Sequence, residues 1–319
     1  MIITVTLNSA LDKTLEVPNF KPGRRHRTVD QATMPGGKGV NVARAIKRLG
    51  QPVIACGLAG GATGTRIVDA LTEESILNSF VRIHEESRTN TSVLDPTNGQ
   101  HTEVNERGPA VTLQELELFR DKLLYLAQGA SMCVFAGSLP RGLDPGVYAE
   151  LIRDVRKLGV LTLIDAEGDP LRLAMRSEPD VVTPNELEAE ELVGHEFNGV
   201  DDRAQAVYEM TRLGAGEAIM TVPDGCYAWV LEDGARVLHR VRIEEQEARS
   251  SIGSGDAFLA GYVAARYSGQ APLECLRFGV ACGAESTQHS GAGIIDPGRV
   301  ERLLGEVTAE QLELRAEIS

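Results

Sequence analysis

The sequence predicts an α/β fold in which helices cover both faces of a mainly parallel central sheet. Two observations carry this prediction. Short β-branched runs alternate with helical patterns over most of the 319 residues, and this order is typical of parallel sheets. The aromatic content is only 4%, so the core between the sheet and the helices must be mainly aliphatic.

The elements of the central sheet follow one another along the chain. Apolar runs such as IITVTL and VIACGLAG have the length and the β-branched content of buried strands. The predicted strands cover residues 2–7, 53–60, 131–137, 160–165 and about 217–222. The predicted helices cover residues 40–50, 63–75, 112–129, 145–159, 185–193 and 201–213. Thr112 and Glu115 have the spacing of a capping box, which fixes the start of helix 112–129.

Residues 12–33 and 81–106 break this alternation. They contain segments such as KTLEV, VRIH and HTEVN, which alternate apolar and polar residues as half-exposed strands do. The dipeptides PG at 22–23 and NG at 98–99 mark turns. We therefore predict a small accessory sheet, or lid, inserted in two pieces into one domain that spans residues 1–319.

Composition limits the classes of function. The net charge of −14, from 46 acidic and 32 basic residues, argues against a nucleic-acid partner, because phosphate backbones attract basic surfaces. No apolar run approaches the roughly 20 residues of a membrane span, and the N-terminus MIITVTLNSA does not resemble a signal peptide. The five cysteines include no CxxC pair, which predicts a cytoplasmic location. The six histidines lack metal-ligand spacing.

The stretch SSIGSGDAFLAGYVAARYSG, residues 250–269, carries the clearest chemical signal. Gly253 and Gly255 bracket Ser254, Asp256 follows, and apolar residues then recur at helical spacing. The first N–H groups of such a helix have no partner within it and attract negative charge. Asp256 is therefore either a simple helix cap or a base beside an anion site, where it takes a proton from a hydroxyl group while the N–H groups hold a phosphoryl group.

A second glycine-rich stretch, PGGKGVNVARAIKRLG, spans residues 35–50. Gly37 and its neighbouring glycines allow the backbone to approach a ligand closely. Lys38 and Asn41 can donate hydrogen bonds to hydroxyl or phosphate oxygens. The alternative is an ordinary turn from strand to helix with a surface lysine, because short glycine-rich matches are common.

Arginines form the candidate anion-binding set. Arg24 and Arg27 belong to the basic run PGRRHR at 22–27, and Arg88 begins the tripeptide RTN. An arginine fork binds two phosphate oxygens at once, so these residues are candidates for holding an anionic substrate. The alternative is a solvated basic turn.

Two further motifs follow predicted strands. Ser138 in AGSLPRG, 136–142, comes where parallel strands commonly bind ligands, although a plain loop is the alternative. In TPNELEAEELVG, 183–194, Asn185 and Glu188 have the spacing of a capping box. The functional alternative puts both residues near nucleotide phosphates, where Glu188 helps to order Mg²⁺ through water.

Together, these motifs resemble those of the ribokinase-like (PfkB) carbohydrate kinases. GGKGVNVARAIKRLG is similar to the N-terminal signature of that family, and GSGDAFLAG is similar to its C-terminal signature. The motifs ALDKT, GGKG, AGGATG, RTN, TEVNE, GSLPRG, TPNELE and GSGD follow the family order over roughly 300 residues. NSALDKTLEV, RTN and TEVNERGP resemble the phosphohexose kinases, which act on fructose 1-phosphate, tagatose 6-phosphate or fructose 6-phosphate.

The resemblance implies a three-layer α/β/α domain with a β-sheet lid that often mediates homodimers. It implies ATP and Mg²⁺ as cofactors and a sugar phosphate as the acceptor. It makes Asp256 the base and the N–H groups of Gly253, Ser254 and Gly255 an anion hole. The implied substrate-binding residues are Asp12, Arg24, Arg27, Gly37, Lys38, Asn41, Arg88, Asn90 and Ser138. The implied nucleotide-side residues are Asn185, Glu188, Thr221, Gly225 and Ser251, and Glu188 is also the implied water-mediated metal contact.

Three departures from the family pattern fall on the nucleotide side. Thr183 stands where the family usually has lysine, TVPDGCYAWV lacks one glycine of a usual turn, and EEQEARSS replaces a proline-rich stretch. Three alternatives therefore stay open beside a fructose 1-phosphate kinase. They are a tagatose 6-phosphate or fructose 6-phosphate kinase, a kinase for another sugar or a nucleoside, and a sugar-phosphate-binding regulatory protein with weakened ATP use.

Overall fold

The computed structural model describes residues 1–244 and 250–314. These residues form fourteen strands and ten helices. The strands are β1 Ile2–Thr6, β2 Ala10–Glu16, β3 Asp30–Gly36, β4 Val53–Gly60, β5 Leu77–Ile83, β6 Arg88–Asp95, β7 Gln100–Asn105, β8 Met132–Ala136, β9 Leu161–Asp165, β10 Val181–Val182, β11 Glu217–Val222, β12 Gly225–Glu232, β13 Ala235–Arg242 and β14 Thr308–Leu312. The helices are α1 Lys38–Arg48, α2 Gly61–Glu73, α3 Leu113–Ala127, α4 Val147–Arg156, α5 Gly168–Met175, α6 Glu186–Val193, α7 Val200–Arg212, α8 Ser254–Tyr267, α9 Pro272–Ser286 and α10 Pro297–Leu304.

The central sheet has ten strands in the order β14-β13-β12-β11-β10-β9-β8-β1-β4-β5. Neighbouring strands from β11 to β5 in this order pair in parallel, whereas β12, β13 and β14 pair antiparallel at one edge. Each strand and helix predicted for this sheet is present, and its ends differ from the prediction by at most three residues. The predicted α/β fold class, with its mainly parallel sheet, is therefore confirmed.

Two aliphatic cores separate the layers, one on each face of the central sheet. Helices α1, α2, α8, α9 and α10 supply buried residues such as Ile46, Ile67 and Leu276 to the first core. Helices α3 to α7 supply Phe119, Ile152 and others to the second. Parallel strands buried on both faces account for the continuous apolar runs in the sequence. No helix in the described ranges has the length and apolarity that crossing a bilayer requires.

The small sheet is separate and has four strands in the order β3-β2-β6-β7. Its strands lie within the two predicted stretches, except that β2 begins at Ala10 and β3 continues to Gly36. One part of the prediction is wrong. The segment VRIH, 81–84, is not part of this sheet, because Val81 to Ile83 belong to β5 and pair in parallel with β4. The second stretch of the small sheet therefore begins at Arg88.

Candidate active site

The glycine–serine–glycine turn at the start of α8 exposes backbone N–H groups. Gly253 caps the helix in the left-handed region, with φ of 80°, where residues with a Cβ are strained. The N–H of Ser254 donates to the carbonyl oxygen of Ser251 over 3.3 Å. Among the described residues, the N–H groups of Gly253 and Gly255 have no acceptor, so these two, rather than all three, are free for an anion.

Asp256 lies in the first turn of α8 and is almost fully buried, with 7% of its surface exposed. Its Oδ2 accepts a hydrogen bond from Asn41 Nδ2 over 2.8 Å. Burial, together with the nearby carboxylate of Asp165, raises the pKa of Asp256 to about 7, although Lys38 and Asn41 act in the opposite direction. A carboxyl group with such a pKa can accept a proton at neutral pH and release it again.

Lys38 joins α1 to two carboxylates from distant parts of the chain. Its Nζ lies 2.7 Å from Asp165 Oδ1 at the end of β9 and 3.2 Å from Glu188 Oε1 in α6. Burial lowers the pKa of Lys38, but Asp165, Glu188 and Asp256 together raise it above its ordinary value. Lys38 is therefore a permanent positive charge close to the buried Asp256.

Close backbone contacts explain the glycines before α1. Gly37 has a φ of 98°, and a Cβ at Gly36 would lie 1.9 Å from Asp12 Oδ2. The Asp12 carboxylate thus rests directly on the backbone of the glycine loop. Its Oδ1 accepts a hydrogen bond from Asn90 Nδ2 over 2.9 Å, which fixes Asp12 to the neighbouring strand β6.

Arg88 and Ser138 meet through a third residue, Asn8. Arg88 Nε donates to the carbonyl oxygen of Asn8 over 3.2 Å. Asn8 Nδ2 in turn donates to Ser138 Oγ over 3.1 Å. These contacts bring the start of β6 and the loop after β8 to the same edge of the central sheet, beside the glycine loop.

A large cleft of about 650 Å³ is lined by Asp256 and by the turn before it. All five predicted nucleotide-side residues line this cleft: Asn185, Glu188, Thr221, Gly225 and Ser251. The cleft also reaches Lys38 and Asp165. Asn185 and Glu188 do form the capping box of α6, so the structural and functional interpretations of this pair are compatible.

The departures from the family pattern can also be located. Thr183 lines the large cleft, and its Oγ1 faces the carbonyl oxygen of Ile164 at 3.5 Å. Pro223 and Asp224 form the short turn between β11 and β12, and Arg240 holds Asp224 at 2.5 Å. In EEQEARSS, residues 245–249 lie outside the described residues.

Arg24 and Arg27 are not brought to this site. Both lie in the loop between β2 and β3, and both side chains are exposed. Asp95 anchors the first part of the loop by accepting from the N–H groups of Asn19 and Phe20. Within residues 1–244 and 250–314 of one chain, these two arginines therefore make no contact with the residues around Asp256.

Sequence reasoning missed Asp165 and Arg44. A carboxylate at the end of the strand VLTLID was the only available signal for Asp165, because parallel strand ends commonly carry ligand-binding residues. Arg44 is buried in α1 and donates from Nη1 to the carbonyl oxygen of Ala292 over 2.7 Å. A Cβ at Gly253 would lie 2.5 Å from Ala292 Cβ, so Arg44 supports the turn before α8 from behind.

The carboxylates around Lys38 suit Mg²⁺ better than they suit a metal ion whose ligands all come from the protein. No cluster of three or more His, Cys, Asp or Glu residues able to hold a metal occurs in residues 1–244 and 250–314. Mg²⁺ usually keeps several waters and uses one or two carboxylates together with substrate phosphates. Asp165 and Glu188 both line the large cleft and fit that requirement.

Comparisons with known proteins show which family the chain belongs to. The model of the pfkB family carbohydrate kinases matches residues 6–298. The chain belongs to this family. As a carbohydrate kinase it is a phosphotransferase, and the family implies ATP use. The resemblance inferred from the motifs is thereby confirmed.

Relatives of this carbohydrate kinase are similar over nearly their whole length. A 1-phosphofructokinase of Borreliella burgdorferi is 31% identical, over 89% of this chain and 90% of the relative. A tagatose-6-phosphate kinase of Staphylococcus epidermidis is 29% identical, over 96% and 98%. The structure of phosphofructokinase-2 from Escherichia coli with substrates and products superposes with a TM-score of 0.88 at 28% identity, over 95% and 98%. Ribokinase of Arabidopsis thaliana, at 21% identity and a TM-score of 0.72, shares the fold.

Proposed function

We propose that this kinase transfers the terminal phosphoryl group of ATP to a hexose monophosphate, and that fructose 1-phosphate, converted to fructose 1,6-bisphosphate, is its main substrate. The observation that carries the proposal is the buried Asp256, which lies beside Asn41 at the mouth of α8. The 1-phosphofructokinases and the tagatose-6-phosphate kinase among the relatives support a phosphorylated hexose as the acceptor.

In the proposed reaction, Asp256 accepts the proton of the attacking sugar hydroxyl. The hydroxyl oxygen forms a bond to the transferred phosphorus as the bond from that phosphorus to the ADP oxygen breaks. Negative charge on the transferred group meets the free N–H groups of Gly253 and Gly255 and the ammonium group of Lys38, which act by electrostatic stabilisation. Asp12 and Asn90 hold sugar hydroxyls, and Arg88 and Ser138 hold the remainder of the substrate.

The nucleotide occupies the large cleft in this proposal. Asn185, Thr221, Gly225 and Ser251 line its walls. Asp165 and Glu188 are the residues that would hold Mg²⁺, and Glu188 would do so through water. When bound, Mg²⁺ neutralises charge on the phosphate oxygens.

The substrate assignment is tested by a kinase assay across fructose 1-phosphate, fructose 6-phosphate, tagatose 6-phosphate and unphosphorylated fructose, each with ATP and with GTP. We expect the highest kcat/KM for fructose 1-phosphate with ATP. Preference for fructose 6-phosphate or tagatose 6-phosphate would identify another phosphohexose kinase. Preference for unphosphorylated fructose would contradict the assignment of Arg24, Arg27 and Arg88 as residues that hold an anionic substrate. Sugar-phosphate binding in calorimetry without ATP consumption would instead identify the regulatory protein that Thr183 and the VPDG turn suggest.

We also propose that the kinase forms a homodimer through the small sheet. Arg24 and Arg27 are exposed on the loop that joins β2 to β3 of this sheet, and in a dimer they would be free to approach the substrate of the partner. Light scattering should give twice the mass of one chain. A monomer that is fully active at the assay concentration would contradict this assignment.

A further inference from the structure

A small cavity of about 130 Å³ lies between the inner face of the small sheet and the segment that contains Ala292. Side chains from three neighbouring strands converge on it. Asp12 on β2 pairs with Asn90 on β6, and Ser92, two residues further along β6, pairs with Glu103 on β7. His101 lies two residues before Glu103, and residues at this spacing share one face of a strand.

The polar atoms that line this cavity have unused hydrogen-bonding capacity. Ser92 Oγ, both ring nitrogens of His101 and Asn90 Oδ1 are buried and have no hydrogen-bond partner among the described residues. Burial of such groups without a partner costs free energy. Three unsatisfied side chains around one cavity therefore point to a polar ligand that completes their hydrogen bonds.

The cavity lies close to the reaction centre, because Ile252 lines it and directly precedes the turn that begins at Gly253. Asp12 lines the cavity, and its carboxylate is close enough to Asp256 to contribute to the raised pKa of that residue. A sugar whose reacting hydroxyl lies at Asp256 would therefore extend past Asp12 and Asn90 towards Ser92 and His101. The large cleft shares no lining residue with this cavity, so a nucleotide bound in the cleft does not compete for this space.

The charges of the cavity favour a neutral group over a phosphate. The carboxylates of Asp12 and Glu103 both line it, and burial raises the pKa of Asp12, which indicates a poorly solvated environment. A phosphate would be repelled by these two carboxylates, whereas a hydroxyl group can donate to one of them and accept from Ser92 or His101.

We propose that Ser92 and His101 are specificity-determining residues that read the hydroxyl groups of the hexose on the side away from the transferred phosphoryl group. The inference rests on the proposed function. Ser92 and His101 select among hexose phosphates by the configuration of a ring hydroxyl. Arg88 does not line this cavity and lies instead beside Asn8 and Ser138. Fructose 6-phosphate and tagatose 6-phosphate, which differ only in the configuration of one ring hydroxyl, are the matched pair of ligands.

Calorimetry on the full chain without nucleotide tests the subsite independently of turnover. In His101→Ala and Ser92→Ala, we expect the Kd of the preferred sugar phosphate to rise about tenfold, the scale of one lost hydrogen bond. The ratio of the two Kd values for fructose 6-phosphate and tagatose 6-phosphate should move towards one. His101→Asn, which keeps a polar side chain, should recover part of the affinity, and the Kd of ATP should not change.

Thr102→Ala is the matched control. Thr102 follows His101 in β7, points to the opposite face of the strand and is exposed, so this variant should bind like the wild type. Equal losses in Thr102→Ala and His101→Ala would overturn the proposal, as would unchanged Kd values in both cavity variants. A loss for phosphorylated but not for unphosphorylated fructose would show a phosphate contact and would also overturn it. If the wild type binds these sugar phosphates but does not phosphorylate them, the proposed function fails while the subsite remains testable by the same Kd values.

Discussion

Asp256→Asn should lower kcat by at least about 100-fold, the usual scale for a general base. The substituted amide is nearly isosteric and can still accept from Asn41 Nδ2, so the turn before α8 should keep its shape. What is lost is the proton acceptor for the sugar hydroxyl. Steady-state kinetics with saturating ATP and sugar phosphate measure the effect, and a kcat within a few-fold of the wild type in a folded variant would contradict the assignment.

Thermal stability distinguishes loss of the base from loss of the fold. The pKa of Asp256 is raised to about 7 from an ordinary value of 3.8, so the native state favours the protonated form. The free energy of unfolding therefore falls as pH rises from about 4 to about 7, because the unfolded chain releases this proton first, and it is constant above pH 7. Asp256→Asn should melt at a higher temperature than the wild type at pH 8, and this difference should disappear below about pH 4.

In the wild type, kcat/KM should fall as pH decreases through about 7, because the protonated carboxyl cannot accept a proton.

Lys38→Met should have an effect of similar size, with kcat falling by about 100-fold or more. The variant removes the ammonium group that stabilises charge on the transferred phosphoryl group. It also leaves Asp165 and Glu188 without their shared cation in a partly buried site, and we therefore expect a lower melting temperature at neutral pH.

Lys47→Met is the matched control for Lys38→Met. Lys47 lies in the last turn of the same helix, α1, and is exposed. The control changes the net charge equally but leaves the site intact, so its kcat should match that of the wild type. Similar losses in both variants would show that Lys38 acts only through the charge or stability of α1.

Local signals were sufficient to predict most of the central sheet. The capping boxes at Thr112 and Asn185 form as expected, because each depends only on residues three positions apart. Continuous apolar runs identified β1, β4 and β8, which are buried on both faces. The antiparallel edge formed by β12, β13 and β14 was not predicted. β12 contains the apolar run CYAWVL, which could have indicated a strand, whereas the exposed β14 has no such run.

Residues 81–83 show why an alternating pattern can be misinterpreted. Val81 and Ile83 are buried, whereas Arg82 is exposed. The reason is that β5 is the last strand at one edge of the central sheet. An edge strand that is half exposed has the same period of two as a strand of the small sheet, and the local sequence cannot distinguish between these positions.

The candidate site was predictable as a set of residues but not as an arrangement. The glycine motifs identified the two loops, and family resemblance paired them with Asp256. Nothing in the sequence indicates that Lys38 contacts Asp165, 127 residues away. The burial that raises the pKa of Asp256 is likewise produced by the packed fold rather than by its neighbours in the chain.

The hydrogen bond between Asn41 and Asp256 joins residues that are 215 positions apart, and this has a consequence for how the enzyme is made. During synthesis, α1 leaves the ribosome long before α8, the helix against which it packs. The loop that this contact closes carries a large entropic cost, and contacts of such separation form slowly. Catalytic competence is therefore a late event in biogenesis, and the nascent chain must keep the apolar surface of α1 from aggregating until α8 is available.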